Sequence, residues 1–118
     1  MCGTQLRDVT TDYLKVALEG LSLQRQASVD NLANIETPGF LAKRVDFESA
    51  LRDARRSGRP ATLDASRSVS SDPTGVNGNN VAVDDEMLIM SENSLRQQLA
   101  VESLNARYRV LRTAIVGQ

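Results

Sequence analysis

Neither histidine nor tryptophan occurs in the 118-residue chain. Without histidine, the commonest acid–base residue and metal ligand is gone, and no Ser-His or Cys-His nucleophile pair can form. Cys2 is the single cysteine. It excludes an intrachain disulfide and a cysteine metal cluster. Four aromatic residues, Tyr13, Phe40, Phe47 and Tyr108, are too few for an all-β core. The apolar content is Leu, Val and Ala, which suits helices. No apolar run approaches the ~20 residues of a membrane span, and the N-terminus lacks the apolar stretch of a cleavable signal. Net charge is −1, from 14 basic and 15 acidic residues. Such a balance gives no field for DNA or anionic lipid. A phosphate-cradling Gly loop is also missing, and Asp72 to Asn80 lacks the spacing and closing Glu of a calcium loop. These absences predict a chain that is not an enzyme, with no catalytic residues, metal, cofactor, nucleic-acid partner or small-molecule substrate.

What is present is helical patterning at both ends. Leu14, Leu18, Leu21, Arg25, Ser28, Leu32 and Ile35 are spaced 4-3-4-3-4-3, a heptad seam along one helix face. The spacing predicts an N-terminal helix over 10–35, after a flexible 1–9. Val83, Met87, Met90, Ser94, Gln97, Val101, Leu104, Tyr108, Leu111 and Ile115 repeat the 4-3 spacing without a slip. They predict a C-terminal helix over 83–116, with Asp84, Asp85 and Glu86 suited to its N-terminal dipole and Gly117 to its C-cap. A second stripe, Leu88, Leu95, Leu99, Ala106 and Val110, lies off this seam. One intrachain partner needs only one stripe, so the surplus apolar surface implies contact with other subunits.

Between the helices, Pro38 forbids helix continuation, and Pro38-Gly39 fits the centre of a type II turn. That places a turn over 36–46. Asp46 can cap a short helix over 47–57, with Phe47, Ala50, Leu51 and Ala54 on one face and Gly58 closing it. Residues 58–82 are rich in Ser, Asn, Gly and Asp and read as an irregular polar loop, with short extended pieces at Thr62–Leu63 and Ser68–Val69. Arg52, Arg55, Arg56 and Arg59 form a basic cluster that reads as a solvated face or a protein contact. The fold class is therefore mainly α: two long terminal helices pairing as an antiparallel coiled coil, with a short helix and an irregular loop between them. One register brings Leu18 to Val101 and Leu14 to Leu104, and gathers Arg25, Ser28, Ser94 and Gln97 in a polar layer.

The segment Asn31-Leu32-Ala33-Asn34-Ile35-Glu36-Thr37-Pro38-Gly39-Phe40 is the most distinctive. On physical grounds it is a helix end plus a turn, in which Asn31 and Asn34 can bond freed backbone groups. It resembles the signature of the flagellar rod, hook and axial protein family, where Thr-Pro-Gly-Tyr/Phe follows an N-terminal helix. Leu41 to Phe47, Gly78 to Met87, Glu92 to Arg96 and Leu111 to Ile115 resemble blocks of one branch of that family, a proximal rod subunit. Phe40 replaces the usual Tyr, Ile35 a small residue, and Ala82 an acid.

The resemblance implies a structural subunit of the proximal rod of the flagellar basal body that transmits torque from motor to hook. It implies a periplasmic location reached through the flagellar type III export apparatus without signal cleavage. The partners it implies are copies of the chain, other rod proteins and the adaptor joining rod to membrane ring. The motif residues Asn31, Asn34, Thr37, Pro38, Gly39 and Phe40 would form the turn. Leu14, Leu18, Leu21, Leu32 and Ile35, with Val83, Met87, Met90, Val101, Leu104, Tyr108, Leu111 and Ile115, would form the assembly seams. The competing readings are a stand-alone coiled-coil adaptor or chaperone, and a sister rod protein.

Overall fold

A computed structural model describes residues 9–58 and 65–117. The element order is α1 (Val9–Ala33), β1 (Lys43–Asp46), α2 (Glu48–Ser57), β2 (Ser66–Val69) and α3 (Val83–Val116). The long helices lie side by side and antiparallel. Asn93 Nδ2 donates to the Leu21 carbonyl at 2.8 Å, and Asn31 Nδ2 donates to Glu86 Oε1 at 3.1 Å, so α3 descends as α1 ascends. The protein is elongated, 64 × 28 × 16 Å, with a radius of gyration of 18.3 Å. A compact chain of this length would have about 13.5 Å.

The core is thin. Among the described residues, Leu21, Ala27, Ala42, Phe47, Ala100 and Leu104 are the buried apolar side chains, and as a set they are small. Thr11, Ser28, Asn31, Asn79, Asn80, Glu86 and Asn93 are buried with them. So much buried polarity needs hydrogen-bond partners, because each unmade bond costs about 1–3 kcal/mol.

The expected antiparallel pair of long helices is present, and its polar layer is recognisable. Arg25, Ser94 and Gln97 line one cleft, while Ser28 lines the next with Asn93. The stripe of α3 that faces α1 differs from the expected seam, however. It comprises Glu86, Met90, Asn93, Gln97, Ala100, Leu104, Arg107 and Leu111, all buried or half-buried. Met90, Gln97, Leu104 and Leu111 belong to both stripes. Met87, Val101 and Tyr108 each fall one residue beyond an inward position and are exposed, as are Val83 and Ile115. The reason is polar. Glu86 and Asn93 turn inward to reach Asn31 and the Leu21 carbonyl, and a count of apolar residues does not see that pull.

A two-stranded antiparallel sheet, absent from the sequence reading, occupies part of the connection. Lys43 pairs with Val69 and Asp46 with Ser66. Of the extended pieces expected there, Ser68–Val69 falls in β2 and Thr62–Leu63 lies outside the described residues. After α1 the Phe40 N–H bonds the Thr37 carbonyl at 3.3 Å across Pro38-Gly39, and Gly39 takes φ 74°, as a type II turn requires. At the far end Gly117, φ 82°, caps α3 by donating to Thr113.

α2 is held against α1 by one close contact. Phe47, 4% exposed, lies over Gly20, where a Cβ would come 2.3–2.6 Å from its ring. Ala50, Leu51 and Ala54 turn the same way and are half-buried. Asp46 caps the helix: Oδ1 accepts from the Glu48 and Ser49 N–H groups, and Oδ2 from the Ser49 hydroxyl at 2.7 Å.

Gly20→Ala will lower the urea midpoint by overpacking, at about 1–3 kcal/mol, and adding Phe47→Leu will recover part of the loss. The Ser49 hydroxyl, then the backbone N–H groups and Arg52, hold the Asp46 carboxyl below the usual carboxylate range. A depressed pKa gives stability that is present above the unfolded value of about 3.9 and lost as pH falls through the folded one. Asp46→Ala will therefore be less stable than the parent at pH 7, by about 1 kcal/mol or less at this exposed cap. The gap will close on acidification below about pH 4; helicity melts across a pH series check both.

Candidate functional site

Three of the family-like segments, Asn31 to Phe40, Leu41 to Phe47 and Gly78 to Met87, lie together in the fold. They meet where the end of α1, the start of β1, the 75–81 loop and the first turn of α3 converge. Lys43 presents its N–H and C=O to α1, and the Asn31 carboxamide satisfies both, Oδ1 accepting at 2.7 Å and Nδ2 donating at 3.0 Å. The same Nδ2 donates to Glu86 Oε1. Arg44 Nη1 reaches that carboxylate oxygen at 2.6 Å. Two strand positions on, the Val45 carbonyl accepts from Gln24 Nε2 at 3.1 Å. Lys43 and Val45 point one way because strand residues alternate. One edge of β1 therefore pairs with β2, and side-chain amides of α1 close the other.

The loop asparagines work in the same way. Asn79 Nδ2 donates to the carbonyls of Asn34 and Thr37, at 2.8 and 2.9 Å, which tie the loop to the turn after α1. Asn80 Oδ1 accepts from Ala42 N at 2.7 Å, while its Nδ2 bonds the carbonyls of Ser70 and Asp72. Gly39 N donates to the Asn77 carbonyl at 2.9 Å. The two turns are in contact: a Cβ on Gly78, φ 78°, would sit 3.3 Å from the Gly39 Cα.

Of the expected turn residues, Asn31, Asn34, Thr37, Gly39 and Phe40 join this network. Asn34 Nδ2 donates to the Asp30 carbonyl at 2.8 Å, which the Asn34 N–H also bonds, and Thr37 Oγ1 bonds Asn34 Oδ1. Pro38 is exposed and acts through the turn it imposes. Asn31 differs from expectation by serving β1 and α3 rather than its own helix end. Sequence reasoning missed Gly20, Arg44, Asn79, Asn80 and Asn93. It read Glu86 as one of three acids placed for the helix dipole. Asp84 and Asp85 are exposed, but Glu86 is fully buried. A weak signal existed: Asn79-Asn80 follows Gly78, and paired asparagines beside a turn glycine often bond backbone.

The expected seam residues fall into three groups. Leu21 and Leu104 are buried; Leu14, Leu18, Leu32, Ile35, Met90 and Leu111 are half-buried; Val83, Met87, Val101, Tyr108 and Ile115 are exposed. The second stripe is wholly exposed, with Leu88, Leu95 and Leu99 at 59%, 58% and 60%. Leu88, Leu95, Leu99 and Ala106 each stand two places after an inward residue, Glu86, Asn93, Gln97 and Leu104. Two residues turn a helix by about 200°. This stripe is thus the back of α3, facing away from its own chain.

No group of metal-ligating side chains occurs among the described residues, and no described helix is long and apolar enough to cross a membrane. Arg52, Arg55 and Arg56 are exposed; Arg59 lies outside the described residues.

Asn31→Ala will strip Lys43 of both backbone partners and Glu86 of a donor, at about 1–3 kcal/mol per unmade bond. Asn31→Asp will be worse, setting a second carboxylate against Glu86. Thermal melts will rank the parent above Asn31→Ala and that above Asn31→Asp. Amide exchange at Lys43 will rise in both variants.

No family model matches the chain. Among curated proteins, it is 31% identical over 122 residues to the flagellar basal body rod protein FlgB of Bacillus subtilis (strain 168), covering 92% of this chain and 94% of that one. Against the FlgB of Escherichia coli (strain K12) identity is 27%, over 86% and 89% of the two chains. Against that of Cereibacter sphaeroides it is 29%, over 91% and 96%.

Proposed function

The chain belongs to the FlgB family of flagellar basal body rod proteins and is a structural subunit of that rod, not an enzyme; we propose that it sits in the proximal rod and transmits torque from motor to hook. Assembly with other rod proteins follows from the family. The finer assignments belong to the proposal: neighbouring copies of the chain, the adaptor to the membrane ring, a periplasmic site, and passage through the flagellar type III export apparatus.

One observation carries the reading. Most of the apolar side chains of α3 lie outside the face that its own chain covers. The exposed seam residues Val83, Met87, Val101, Tyr108 and Ile115 border the covered face, and the Leu88–Val110 stripe forms the back. A helix with this much uncovered apolar surface is built for neighbours on more than one side. A stand-alone coiled-coil adaptor would need only one further stripe to close a dimer. The family membership and the apolar surface left uncovered on α3 favour the rod.

Deleting the gene will abolish swimming and leave basal bodies without rods beyond the membrane ring; swimming cells with intact rods would overturn the role. Leu95→Asp with Leu99→Asp will abolish swimming while leaving the helicity of the purified chain unchanged, because both side chains are exposed in the subunit.

A further inference from the structure

We propose that the back of α3 docks, in the assembled rod, into a groove between α1 and the β-hairpin of a second copy of the same chain. This rests on the rod reading and adds the surfaces that meet. The groove is an open cleft of about 520 Å³. Leu23 and Ala27 of α1 and Val45 and Val69 of the hairpin give it an apolar lining. Lys43, Arg44 and Arg67 line it as well, and no acidic residue does. Lys43 is half-exposed beyond its 3.5 Å pair with Asp30, and Arg67 is exposed.

The back of α3 has the complementary character. Leu88, Leu95 and Leu99 are anchors at helical spacing, the pattern by which an amphipathic helix fills an apolar groove. Asp84, Asp85, Glu92 and Glu102 flank them, all exposed. The basic residue on that stretch, Arg96, bonds Glu48 of its own chain. An apolar, acidic ridge thus faces an apolar, basic groove, and opposite potentials set partner choice and register. Ridge and groove are different surfaces of one subunit. Their contact is head-to-tail, the kind that continues from copy to copy instead of closing as a symmetric pair.

Disulfide trapping in cells tests the docking. With Cys2→Ser as background, Ser68→Cys is placed in the groove and Gln98→Cys beside Leu95 and Leu99. A mild oxidant applied to swimming cells will give cross-linked multimers with both cysteines in one chain, and a dimer when the two single variants are co-expressed. Each single variant alone will give none. Multimers will be lost on adding Lys43→Glu and Arg67→Glu. Swimming cells with no cross-link overturn the docking and leave the rod role standing. A dimer from Gln98→Cys alone overturns it too, by placing two α3 backs together. Should the paired cysteines themselves stop swimming, carbodiimide treatment of parent basal bodies decides. Glu102 lies about 24 Å along α3 from Glu86, which shares Asn31 with Lys43, so a Lys43–Glu102 link must join two copies. Finding that link supports the docking; Lys43 joined only to Asp30 overturns it.

Discussion

Lys43 hands both of its backbone groups to the carboxamide of Asn31, and the rest of the subunit is arranged around that exchange. Asn31 is fully buried on α1, and its amide also holds Glu86 at the start of α3. Arg44, the next residue of β1, holds the same carboxylate. Three segments far apart in sequence therefore share one polar knot. An apolar contact tolerates sliding by a methylene or two. A carboxamide that must meet an N–H and a C=O at once does not. A buried ion pair adds little net stability compared with apolar packing, but leaving either partner alone is costly. The knot thus acts chiefly by excluding other registers of α1, β1 and α3.

This explains why the core can be so thin. With Leu21, Phe47 and Leu104 as the largest buried apolar side chains among the described residues, dispersion and burial supply little, and the chain stays elongated. Asn79 and Asn80 fold the loop onto the turn by bonding carbonyls that would otherwise be left in a half-buried crevice. Glycines make the remaining close approaches: Gly20 admits Phe47, and Gly39 and Gly78 bring two turns into contact. The subunit is specified more by directional bonds and close approach than by volume of hydrocarbon.

The same distinction separates what the sequence disclosed from what it hid. The long helices were legible because a 4-3 rhythm is a local, additive signal, and Pro38-Gly39 is a local stop. The turn and the α2 cap at Asp46 were legible because each is settled within four residues. The sheet was hidden, since Lys43–Asp46 and Ser66–Val69 are short and each has a single apolar residue, Val45 and Val69; what holds β1 in place is Asn31 and Gln24 on a helix elsewhere. The rotation of α3 was hidden for a related reason. Glu86 and Asn93 break an apolar count, yet they lie inward because their partners, Asn31 and the Leu21 carbonyl, are far off in sequence.

That rotation bears on function. Had α3 presented the expected seam to α1, Met87, Val101 and Tyr108 would have been spent inside the subunit. By turning polar residues inward, the chain frees those side chains at the border of the covered face while the Leu88–Val110 stripe remains on the back. Hydrocarbon is thereby left on the outside of the subunit, where burial against other rod proteins would be favourable. Directional bonds are kept within the subunit, where they hold one register. A rod under torsion needs both properties. Its subunits must not shear internally, and their contacts must be broad enough to share the load. An elongated subunit with a polar interior and an apolar exterior meets the two demands with different interactions, so neither weakens the other.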